Sequence, residues 1–191
     1  MRKEELQGGI EMRKYEITDI QHPDNARLHR IKALRDILRW GVKAGDLGGY
    51  IQSESNLSQI GDCWVDGNGK VTDNGKVTDN GSVTGNGWVT DNGNVTDNGW
   101  VTDNGSVTGN GWVFGDAMIK KPTDILTISS LGSRNDTLTV LYNKTCATGC
   151  FQGTIDEFLA AVKETHGNNE YAKLYCKAIN FAYEYFDWER V

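Results

Sequence analysis

Proline is nearly absent, with 2 residues in 191, while glycine reaches 23. Disordered glycine-rich chains usually carry proline as well, so this imbalance argues against disorder and for a glycine-periodic architecture. Long apolar runs are also lacking. No stretch approaches the roughly 20 residues that a membrane-spanning helix needs. The N-terminus from Met1 to Met12 is charged and has no apolar segment of the secretory kind, so a cytoplasmic protein is expected. Positive charge is in deficit, with 20 Lys and Arg against 26 Asp and Glu. Direct binding of DNA or RNA, which needs a basic footprint, is therefore not expected. Four cysteines, Cys63, Cys146, Cys150 and Cys176, are too sparse for a disulfide framework and fit reduced thiols. Histidine is limited to His22, His29 and His166.

What the chain does have is a repeat. Valines fall six residues apart at 65, 71, 77, 83, 89, 95, 101, 107 and 113, and Ile119 continues the series. A small residue stands two positions before each: Cys63, then glycine from 69 to 111, then Ala117. Asn stands three positions after each, from Asn68 to Asn110, and Asp116 replaces it once. Such a period predicts a mainly β chain, a left-handed parallel β-helix in which each short strand points one stiff β-branched side chain inward. Three hexapeptides make one coil rising about 4.8 Å. The small residue fits beside a corner, and Asn is expected to take the left-handed turn conformation. Gly49–Ile51 and Ser55–Leu57 extend the template upstream. A calcium-binding nonapeptide roll does not match a period of six.

Folded onto three faces, the residue before each valine points outward. The outward set includes Trp64, Trp88, Trp100 and Trp112, and large exposed aromatics mark contact or ligand-stacking surfaces. The threonines after the valines, Thr72 to Thr108, are expected outside as well. Asp73, Asp79, Asp91, Asp97 and Asp103 fall at turn edges, where they bond their own backbone or form acidic rows that imitate nucleic acid.

The repeat resembles the hexapeptide-repeat superfamily, whose enzymes are mostly trimeric acyltransferases. The resemblance covers about a third of the chain and implies the fold more than an activity. Those enzymes place a catalytic His on or near a loop extruded from the coils. Here none of the three His falls within the repeats, and no loop leaves them between Val65 and Ile119. The related zinc carbonic anhydrases need three His ligands, and a closed set is lacking too. Neither activity is expected, and no cofactor or metal is implied.

The flanks differ in texture. Met1–Glu11 reads as a short extension. Tyr15–Ile20 alternates as a strand, His22–Asn25 is a turn, and Leu28–Ile37 suits either a helix or a second strand. A hairpin that caps the open end of the prism is the favoured outcome. The expected division is 1–48 for extension and cap, 49–121 for the β-helix and 122–191 for a C-terminal α+β domain. In the last, Asp124–Ser129, Thr137–Tyr142 and Cys150–Phe151 read as strands. Thr154–Glu157 is a capping box opening a helix that buries Ile155, Phe158, Leu159 and Val162, and Gly167 ends it. A second helix over 169–186 is expected to bury Tyr171, Leu174, Tyr175 and Ile179. The cap leading through Trp40–Tyr50 into the repeat, and this C-terminal module with its Gly132–Asp136, Cys146–Thr154 and Glu164–Gly167 stretches, resemble hexapeptide proteins carried by phages and prophages.

Within that module Arg134, Asn135 and Asp136 form a polar loop, where binding groups concentrate. Arg134 suits a carboxylate or phosphate, or else pairs with Asp136. His166 closes a helix, where a positive charge meets the negative dipole end. Cys146 and Cys150 read as a reduced pair in a tight turn, with zinc binding or a Cys150–His166 nucleophile as weaker readings. Together the binding candidates are Arg134, Asn135, Asp136, His166, Trp64, Trp88, Trp100 and Trp112. With the phage resemblance, they imply a non-enzymatic, homo-oligomeric protein, trimer before dimer. Its expected role is anti-defence: it inhibits or sequesters a host defence protein or nucleotide signal. An acyltransferase-like enzyme and a structural phage component are the alternatives.

Overall fold

The computed structural model describes residues 13–189; the Met1–Glu11 extension expected from the sequence lies outside the described residues. Strands β1 (Tyr15–His22) and β2 (Asn25–Ala33) form an antiparallel hairpin, and β3 (Leu47–Ile51) pairs antiparallel with β2. The ambiguous Leu28–Ile37 stretch is thus mostly strand. Leu28, Ile31 and Ala33 are buried along it, and the pairing with β3 shifts register between Arg30 and Lys32.

Ten two-residue strands follow, one per hexapeptide: β4 (Trp64–Val65), β5 (Lys70–Val71), β6 (Lys76–Val77), β7 (Ser82–Val83), β8 (Trp88–Val89), β9 (Asn94–Val95), β10 (Trp100–Val101), β11 (Ser106–Val107), β12 (Trp112–Val113) and β13 (Met118–Ile119). Each pairs in parallel with the strand 18 residues away, in register, as in Val77 on Val95 and Val95 on Val113. Three sheets result, β3-β5-β8-β11, β4-β7-β10-β13 and β6-β9-β12, the last extended by a bridge from Leu57 to Val77. The product is a β-solenoid of about four turns. Its core is a stack of valines with no exposed surface. The small slot is enforced by the next coil. A Cβ on Gly93 would lie 2.8 Å from the carbonyl oxygen of Val107. Ala117 occupies the same slot where no further coil follows.

The turns correct one expectation. The residue in the left-handed region is not Asn but the one before it: Asp73, Asp79, Asp91, Asp97 and Asp103, with φ of 51–54°, or Gly67, Gly85, Gly109 and Gly115. The asparagines instead hydrogen-bond one another from coil to coil. Asn74 Nδ2 donates to Asn92 Oδ1 (3.1 Å), Asn92 to Asn110 (3.0 Å), and Asn80 to Asn98 (3.3 Å). Stacking identical amides satisfies donor and acceptor together, which a left-handed backbone role does not require.

Strands β14 (Ile125–Leu131), β15 (Asp136–Leu141), β16 (Thr145–Thr148) and β17 (Phe151–Thr154) form an antiparallel sheet in sequential order. The sequence reading had three strands; Thr145–Thr148 was missed because a short Thr-Cys-Ala-Thr run carries little periodic signal. Helices α1 (Ile155–His166) and α2 (Glu170–Tyr185) follow. The Thr154–Glu157 capping box and the Gly167 cap are both present. On α2, Tyr175, Ala178, Ile179 and Ala182 face inward, whereas Leu174, expected in the core, is 43% exposed. Alanines let the helix approach the sheet closely and rotate the larger Leu174 outward. The sheet lies between solenoid and helices. Leu138, Val140 and Cys146 join the helix-side core, while Leu141 and Ala147 pack with the solenoid core. Asn110 donates to Thr137 Oγ1 (3.2 Å) and the Trp112 amide to Thr139 Oγ1 (3.3 Å), fixing the sheet on the last coil.

Candidate functional site

The meander order of β14–β17 brings two sequence-predicted residues together. Arg134 stands in the β14–β15 turn, beside Asn135 in the left-handed region. Cys150 stands in the β16–β17 turn, after Gly149. Because the sheet is a meander, these two turns lie side by side, and Arg134 Nη1 donates to Cys150 Sγ at 3.2 Å. His166, the last residue of α1, comes over the same spot, with its ring 5.8 Å from Tyr175 and 5.9 Å from Tyr171. Beneath lies an aromatic floor in which Phe158 sits 5.3 Å from Phe151 and 5.4 Å from Tyr175. The result is an open cavity of about 440 Å³ lined by Arg134, Cys150, Phe151, Phe158, His166 and Tyr175, among others.

Asn135 and Asp136 do not line this cavity. Asp136 Oδ1 accepts the Thr137 amide (2.7 Å), and among the described residues it forms no ion pair with Arg134. The cysteines do not act as a pair. Cys146 is buried under the helices, and burial pushes its thiol up to about 12. Cys150 is exposed, and the hydrogen bond and charge of Arg134 hold its thiol below the ordinary cysteine value. A guanidinium stabilises a thiolate but takes no proton at neutral pH, so Arg134 supplies binding charge rather than base chemistry. Tyr175, Phe151 and Phe158 escaped the sequence reading because they looked like ordinary core; their rings line the cavity as well as filling the core.

The tryptophans do not form one platform. Trp64 is buried, at 1% exposure, in a cluster with Tyr15, Ile31 and Ile37, because the N-terminal cap covers the first coil. Ser82, in line with it, is buried as well. Trp88, Trp100 and Trp112 are twelve residues apart, two-thirds of a coil, and therefore fall on three different sheets. Each indole lies against its face and donates to a threonine sixteen residues back: Trp88 to Thr72 (3.3 Å), Trp100 to Thr84 (3.0 Å) and Trp112 to Thr96 (3.1 Å). Thr72 and Thr90, expected outside, are buried, with Thr72 donating to Thr90 (2.8 Å) and Thr90 to Asp73 (2.8 Å). Trp100 also packs on Trp40 and Trp112 on Phe114, leaving Trp88 the most open at 44%. The Lys70 ammonium lies 6.0 Å from the Trp88 ring, and the hairpin tip adds His22, Asp24 and Asn25 to a cleft of about 220 Å³.

The acidic edges are short. Asp73 and Asp91 share one edge, Asp79 and Asp97 a second, and Asp103 stands alone on the third. Their carboxylates serve the fold: Asp91 accepts from the Gly109 amide (3.0 Å), and Asp97 from the Gly115 amide (3.1 Å) and Gln152 (3.0 Å). Among the described residues, no helix is long and apolar enough to cross a membrane. No protein-family model matches the chain, and no curated protein matches it significantly.

Proposed function

We propose that the protein is a non-enzymatic, phage-encoded binding protein that sequesters a component of host defence in the cytoplasm, a nucleotide signal before a protein effector. The observation that carries the reading is the convergence of Arg134 and His166 over the floor of Phe151, Phe158 and Tyr175. Guanidinium and imidazole suit phosphate oxygens, and a largely apolar aromatic pocket suits a base. The four-turn solenoid then serves as a rigid scaffold that carries the site. Leu38 and Ile60, 83% and 76% exposed, are apolar side chains suited to an interface between copies, which supports a homo-oligomer, and the hexapeptide resemblance puts a trimer before a dimer.

The test is calorimetric titration of the full chain with mono-, cyclic mono- and cyclic dinucleotides. Saturable binding, weakened at least tenfold by Arg134→Ala or His166→Ala, is the expected result. Absence of saturation by every member at millimolar concentration overturns the nucleotide part. Failure of the expressed protein to restore phage plating on an immune host overturns the defence part.

A further inference from the structure

Lysine is rarely buried without a charged partner, because removing an ammonium from water is costly. Lys14 has no exposed surface, and neither has Cys63. The Lys14 ammonium nitrogen lies 2.8 Å from the Cys63 carbonyl oxygen and 2.9 Å from Cys63 Sγ. Among the described residues no carboxylate forms an ion pair with it. Burial lowers the affinity of Lys14 for its proton and raises that of the Cys63 thiol, although each partner opposes the shift of the other. Arg35 also lowers Lys14, Asp62 raises it, and Asp79 raises Cys63. Nitrogen and sulfur thus sit in direct contact inside the fold, 2.9 Å apart.

Around the pair, β1 is pinned to the loop that leads into β4. The Lys14 amide donates to Gln59 Oε1 (2.8 Å), the Tyr15 hydroxyl donates to the Leu57 carbonyl (2.7 Å), and the Cys63 thiol faces the Ser58 carbonyl (3.4 Å). These contacts hold nitrogen and sulfur in place.

We propose that Lys14 and Cys63 form a covalent N–O–S crosslink with dioxygen as oxidant, sealing the N-terminal cap onto the first coil. The balance is R–NH2 + R′–SH + O2 → R–NH–O–S–R′ + H2O. Nitrogen and sulfur each give up two electrons. One oxygen atom bridges them, and the other leaves as water with two of the three hydrogens. Two equivalents of dithiothreitol return amine, thiol and water. An inserted oxygen fits a pair already in contact, whereas a direct S–N bond requires the two atoms to close by more than an ångström.

The measurement is intact mass of the full chain, prepared without oxygen and then held in air-equilibrated buffer. The folded chain gains about 14 Da, loses one thiol of four, and yields a proteolytic fragment joining the Lys14 and Cys63 peptides. Dithiothreitol reverses the gain, and Cys63→Ala abolishes it. The crosslinked form melts roughly 10 °C above the reduced form, since it closes a loop of about 50 residues. A chain held in urea in air shows no gain, which makes the folded contact the cause. An unchanged mass overturns the proposal. So do a gain of about 32 Da from sulfinic acid alone, a loss of about 2 Da from a direct S–N bond, and equal gain in urea.

Discussion

The solenoid and the C-terminal module bury their apolar side chains by opposite means. In the solenoid, a residue's surroundings follow from its place in a six-residue cycle. Val77, Val95 and Val113 meet the same neighbours one coil apart and are all fully buried. In the C-terminal module no two core positions are alike. Phe158 touches Phe151 from a strand and Tyr175 from a second helix, and each of the three comes from a different element. Repetition produces stability from one rule applied many times, but it also makes every coil nearly the same. A site needs unlike groups brought to one place, and that occurs where the repeat stops.

The sharpest way to break this contrast is a charge in the valine stack. Val95→Asp places a carboxylate between two coils with no partner, at a cost of several kcal/mol. Loss of the cooperative melt in far-UV circular dichroism is expected. Leu174→Asp, on the exposed flank of α2, is expected to change stability by less than about 0.5 kcal/mol. Equal effects would mean that the helices rather than the coils carry the fold.

Two glycines sharpen the comparison at the next level. In the solenoid, Gly93→Ala presses a methyl on the Val107 and Thr90 carbonyl oxygens, 2.8 and 3.0 Å away, so two coils must separate. In the module, Gly132 has φ of +72°, and an added Cβ would overlap the Tyr175 hydroxyl. Each substitution is expected to cost about 2–3 kcal/mol in urea unfolding, from steric overlap at Gly93 and from overlap plus left-handed strain at Gly132. Only Gly132→Ala should also weaken ligand titration, because only it displaces a residue lining the cavity.

The same contrast governs what the amino-acid order revealed. The valine period determines strand, register and coil, so all three were legible. The burial of Trp64 was not, because it depends on a hairpin nearly fifty residues earlier. Exchange of the Asn and Asp turn roles was hidden because both residue types tolerate the left-handed region, and only stacking decides between them. At the cavity, Arg134 and His166 were legible as polar groups in a loop and at a helix end. Their convergence was not, since it arises from the meander order of β14–β17 and the return of α2. Asn135 and Asp136 looked equivalent to Arg134 in sequence, yet the turn directs only the guanidinium into the cavity.

The flat-lying indoles provide a smaller test. Trp100→Phe keeps the packing against Trp40 but removes the N–H that reaches Thr84. A loss of about 1 kcal/mol in thermal or urea unfolding is expected. Trp88→Phe should cost less, because its bond to Thr72 is longer, at 3.3 Å, and the ring is nearly half exposed.

The smallest effect concerns the charge state of one exposed thiol and leaves the fold intact. Arg134 donates to Cys150 Sγ and places a positive charge beside it, so the thiolate forms at lower pH than in an ordinary cysteine. Alkylation by iodoacetamide follows the thiolate fraction, and its rate plotted against pH has its midpoint at the thiol's own value. Removing the guanidinium removes both the hydrogen bond and the charge. The midpoint of Cys150 alkylation in Arg134→Ala should therefore move to higher pH, towards the ordinary range, with no change in melting temperature. Cys146 is the internal reference: its buried thiol stays protonated and unreactive across the same range in both proteins. An unmoved midpoint would show that Arg134 does not hold the thiol, and the electrostatic half of the cavity would then rest on His166 alone.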